Sequence, residues 1–88
     1  MTDQREWLSI IFGFMEAGRE MANRTGCSWM VEAGERGVVC RLRLGDNYVS
    51  RMETKQDMLY LRYPDDCIRS TWEELARRLL RHEEGGST

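Results

Sequence analysis

The chain has 88 residues and a mass of 10.4 kDa, enough for one small domain and too little for two. Hydrophobic residues make up 41%, charged residues 32%, and proline occurs once, a composition that excludes disordered and collagen-like chains. Thirteen basic residues against fifteen acidic ones give a net charge of −2, which argues against wholesale phosphate neutralisation of the kind a generic nucleic-acid binder needs.

Residues 3–24 carry a helical period, with Thr2 or Asp3 placed to cap it and Glu6 three residues after Asp3. Trp7, Ile11, Phe14 and Gly18 fall near one line of the helix. Leu8, Phe12 and Met15 widen the apolar arc on one side, and Ile10, Ala17 and Met21 widen it on the other. The arc spans about 220°, more than the ~100° that one buried face uses. The edge formed by Leu8, Phe12 and Met15 is therefore expected to meet the second helix across the sheet, or else to be a dimer or partner surface.

Residues 27–63 lose the helical period and alternate. Four strands are expected at 27–33, 38–44, 48–54 and 58–63, broken by turn residues at 34–37, 45–47 and 55–57. Keeping apolar residues on one face sets the register. It pairs Val31 with Cys40 and Trp29 with Leu42 in the first hairpin. A three-residue loop, Gly45 to Asn47, pairs Leu44 with Tyr48 and Cys40 with Met52 in the second. The third then pairs Met52 with Leu59 and Tyr48 with Tyr63.

Pro64, Asp65 and Asp66 read as a turn, followed by a second helix with capping boxes at Ser70/Glu73 and Thr71/Glu74. Trp72, Leu75, Ala76, Leu79 and Leu80 form its apolar stripe. The expected fold is a single α+β domain over residues 1–82, in the order α-β-β-β-β-α, with a four-stranded antiparallel meander and both helices on one face. Residues 83–88 read as a flexible tail.

The same register places Arg41, Arg43, Arg51 and Arg62 on the opposite sheet face with Tyr60 and Met30. Arg41 opposite Arg51 is a repulsive cross-strand pair unless stacking on Tyr60, the flanking Glu53 or an anionic partner offsets it. Twelve of the thirteen basic residues are Arg, the side chain suited to bidentate capture of carboxylates and phosphates. An RNA-reading sheet offers two or three stacking aromatics, and this face offers only Tyr60.

Cys27, Cys40 and Cys67 lack the close spacing of zinc ligands, and an odd count does not suit a disulfide framework. Three free thiols and the lack of a signal-peptide pattern point to the cytoplasm. His82 reads as a helix C-terminal charge rather than a base, and no nucleophile, phosphate-loop or metal motif appears. The expected function is a non-catalytic protein-binding module without a cofactor. It would be a small inhibitor, adaptor or immunity-type protein of the kind that phages and mobile elements carry, recognising a protein with an acidic surface. Nucleic-acid binding through the same arginines is the alternative. No membrane association is expected.

Overall fold

The computed structural model describes residues 2–86, and the side chains of residues 4–81. The chain order is α1 (Thr2–Thr25), β1 (Ser28–Ala33), β2 (Gly37–Leu44), β3 (Asn47–Thr54), α2 (Lys55–Tyr60) and α3 (Pro64–Gly86). The fold is α+β, with an antiparallel sheet in the order β1-β2-β3. It has three strands, not the four expected from the alternation. α1 and α3 pack against each other, α1 over β1 and α3 over β3 and β2. No helix among the described residues is long and apolar enough to cross a membrane.

α1 buries Trp7, Ile10, Phe14, Gly18 and Met21, a row at helical spacing. Gly18 belongs in this row because the Trp72 ring lies against it. A Cβ at that position would sit 2.6 Å from the ring, so any side chain would push α1 and α3 apart. The close approach also lets the Trp72 indole Nε1 donate a buried 3.0 Å hydrogen bond to the Phe14 carbonyl oxygen. Phe14, Val38, Cys40, Leu42, Trp72, Leu75 and Leu79 are almost completely buried and form the centre of the core. Trp29 packs at its margin.

The first hairpin has the expected register, with Trp29 opposite Leu42 and Val31 opposite Cys40. The second does not. Its loop is two residues, Gly45 and Asp46, so Leu44 pairs with Asn47 and Cys40 with Arg51. Gly45 supplies the positive φ of 63° at the first turn position, as a type II′ hairpin requires. The change of one residue turns β3 over. Tyr48 and Met52 now lie on the outer face, 60% and 51% exposed, and Arg51 and Glu53 lie on the inner face.

The fourth strand, at 58–63, is absent. Thr54 caps a short helix instead, its Oγ1 accepting the Asp57 backbone N–H at 3.2 Å. Met58 then turns into the core, and Leu61 and Tyr63 are exposed. The spacing of Thr54 and Asp57 is a helix-start signal that the apolar alternation of Met58 to Tyr63 masked.

The last helix begins at Pro64, ahead of the expected caps at Ser70 and Thr71. Proline suits the first helical position, where its missing N–H has no partner to lose, and Asp65 and Asp66 suit the positive end of the dipole. Thr71 is thus mid-helix and buried, with its hydroxyl donating to Glu53 Oε1 at 3.3 Å. α3 takes in residues 83–86 of the expected tail. Residues 87 and 88, and the side chains of Thr2, Asp3 and His82, lie outside what is described.

Candidate functional site

The arginines assigned to one sheet face are divided by the structure among three places. Arg41 and Arg43 are on the outer face of β2, as expected. Arg51 is on the inner face, where its Nε meets Glu53 Oε1 at 2.7 Å and its Nη1 meets Glu74 Oε2 of α3 at 2.5 Å. Arg62 is in the exposed link between α2 and α3, and Tyr60 is on α2, 82% exposed; neither belongs to the sheet. The repulsive Arg41–Arg51 pair therefore does not form. Arg41 faces Ser50, and Arg51 faces Cys40.

Arg51 ties β3 to α3. Glu53 first, and then Glu74, hold its guanidinium above the ordinary value. Burial first, and then Glu53, push the Cys40 thiol up to about 12. The Cys67 thiol is raised for the same two reasons, burial first. Neither thiol has the lowered pKa of a nucleophile. No cluster of His, Cys, Asp and Glu able to hold a metal occurs among the described residues.

The outer face has the opposite character. Its cross-strand rows are Met30–Arg41–Ser50, Glu32–Val39–Met52 and Ser28–Arg43–Tyr48. None of these side chains is buried, so no helix covers them. The Arg41 guanidinium lies over the Tyr48 ring, 4.9 Å from its centroid. That cation–π contact holds the guanidinium over the ring. Arg41 Nε is buried yet has no hydrogen-bond partner among the described residues. Arg43 turns along the sheet and donates from Nε to the Gly45 carbonyl at 2.9 Å. Met30 and Met52 flank the pair of arginines with adaptable apolar surface. The sequence reading missed Tyr48 and Met52 here, because both are apolar enough to be assigned to the core.

The second candidate surface lies on the other side of α1. Leu8, Phe12 and Met15 are 47%, 64% and 39% exposed. Phe12, Met15, Glu16 and Arg19 line a groove of about 440 Å³ with Trp29 of β1. The second helix does not cover this apolar edge, which is exposed and adjoins an edge strand.

No protein-family model, curated protein or solved structure matches this chain. The functional reading rests on these two surfaces.

Proposed function

We propose that this protein is a non-catalytic binding module that docks a protein partner on the outer sheet face, with Arg41 receiving a carboxylate. One observation carries the reading: a guanidinium over the Tyr48 ring, on an uncovered face, with no carboxylate among the described residues paired to it and an Nε that none of them satisfies. The Nε is itself covered, so a partner's carboxylate is taken by the Nη groups of the same guanidinium, with charge-assisted bonds of roughly 1.5–3 kcal/mol each. Stacking removes side-chain freedom before the partner arrives, which lowers the entropic loss on binding. Tyr48, Met30 and Met52 supply the aromatic and thioether surface that protein interfaces favour around such an anchor.

A protein partner fits better than a nucleic acid. The face presents one stacking ring and two arginines, beside Glu32, on a chain of net charge −2. The test is an NMR titration with a glutamate-rich peptide and, separately, a single-stranded oligonucleotide, each at low and moderate salt. The expected result is saturable shifts at Met30, Arg41, Tyr48 and Met52 with the peptide, lost in Arg41→Gln. Tighter binding of the oligonucleotide, with the steep salt dependence of phosphate contacts, would overturn the partner class.

A further inference from the structure

The sheet ends in two edge strands of different character. β3 turns the charged side chains of Arg51 and Glu53 toward the helix layer. Inward-facing charge is one of the devices that prevents a sheet edge from adding another strand. β1, Ser-Trp-Met-Val-Glu-Ala, has no lysine, no proline and an uninterrupted register with β2. Its inner-facing residues, Trp29, Val31 and Ala33, are all apolar.

The pairing phase of β1 follows from the hairpin. Gly34 N–H donates to the Gly37 carbonyl at 2.9 Å, so residues 34, 32, 30 and 28 bond to β2. The backbone groups of Trp29, Val31 and Ala33 therefore point away from the sheet. Beside this open edge runs the exposed apolar flank of α1. Phe12 and Met15 share a groove with Trp29, and Leu8 and Ile11 share one with Ala33 and Gly34. Along the flank Phe12 stands between Leu8, at the Ala33 end of β1, and Met15, at the Trp29 end.

We propose that β1 and the α1 flank form an interface with a second copy of this chain. The twofold axis passes between the two Val31 residues, normal to the sheet. The edges pair antiparallel, and the two sheets become one of six strands. This occupant is chosen because the flank is complementary to itself. With Val31 on the axis, the large Trp29 faces the small Ala33 of the other copy on the inner side. On the outer side Glu32 faces Met30 and not another Glu32. One layer above, Phe12 meets Phe12 across the axis, and Leu8 meets Met15. All three open-edge residues find backbone partners in this register. The axis keeps both helix layers on the same side, leaving both copies of Arg41 on the opposite, uncovered face. The flank has a footprint on the order of 500 Å² from helix length and layer spacing. Over both copies that is about 1,000 Å², the size at which a specific interface begins.

Two measurements test the proposal. Sedimentation of the wild type at about 100 μM, well above a micromolar Kd, should give twice 10.4 kDa. Phe12→Glu should return it to 10.4 kDa with its far-UV CD unchanged, and Tyr48→Glu on the outer face should not. Hydrogen exchange on the unaltered protein should show amides of Trp29, Val31 and Ala33 slowing as concentration rises. A monomeric wild type would overturn the proposal. So would a dimer that survives Phe12→Glu, or one whose three edge amides exchange at the same rate at every concentration. Acidic-peptide binding by Phe12→Glu should remain at the wild-type level, so this interface and the Arg41 surface fail or stand separately.

Discussion

Arg41 and Arg51 sit on neighbouring strands of one sheet and have opposite fates. Arg51 points into the helix layer and is held by Glu53 and Glu74, with all its charge answered within the chain. Arg41 points out, stacks on Tyr48 and keeps a buried Nε without an acceptor among the described residues. A charge satisfied internally holds the fold together, and one left partly unsatisfied on an open face is available to something else. The same division holds for apolar residues: Leu42 is fully buried and Met52 is half exposed.

The largest expected effect is in the core beneath the inner face. Leu42→Ala should lose roughly 2–5 kcal/mol, a cavity in a packed centre, while Met52→Ala should lose under about 1 kcal/mol. Urea midpoints measure both. Equal losses would mean that the outer face is not open.

A second test of the inner face is its pH dependence. The Cys40 thiol is pushed from 9.0 to about 12, first by burial and then by Glu53. The folded state keeps this proton while the unfolded thiol loses it, so the stabilisation is complete below pH 9 and declines as pH rises toward 12. The slope approaches about 1.4 kcal/mol per pH unit between those limits. Chemical denaturation at pH 8 and pH 10.5 should show the decline, and Cys40→Ala should flatten it. The half-buried Cys67 adds a smaller effect of the same sign.

These differences explain what was legible in the residues alone. Strands β1 and β2 alternate cleanly and are joined through Gly34 and Gly37, so their register was readable. The surplus apolar arc of α1 was readable too, because a helical period reports it, but not that the second helix leaves Leu8, Phe12 and Met15 uncovered. β3 misled because the rule that apolar residues face inward places Tyr48 and Met52 in the core. The inner face of β3 tolerates Arg51 and Glu53 only because Glu74 and Thr71 wait on α3, and that proximity across more than fifteen residues leaves no local pattern. The arginine face was lost with the same register. In contrast, the helix at 55–60 and the early start of α3 had signals in Thr54, Asp57 and Pro64, outweighed by the alternation that followed.

A smaller effect separates the helix layer from the open face. Trp72→Phe removes the indole donor to the Phe14 carbonyl and should lose about 1–2 kcal/mol. Tyr48→Phe keeps the ring under Arg41 and should change stability by less than about 0.5 kcal/mol.

The contrast between the two arginines is tested most directly by one paired measurement. Arg41→Gln and Arg51→Gln are each assayed for urea stability and for affinity toward the glutamate-rich peptide. Arg51→Gln should lose about 1 kcal/mol of stability, the scale of partly exposed ion pairs, and bind as the wild type does. Arg41→Gln should keep its stability and bind at least tenfold more weakly, about 1.4 kcal/mol. Undiminished binding by Arg41→Gln, or the same loss in both variants, would contradict the assignment of Arg41 to a partner and Arg51 to the fold.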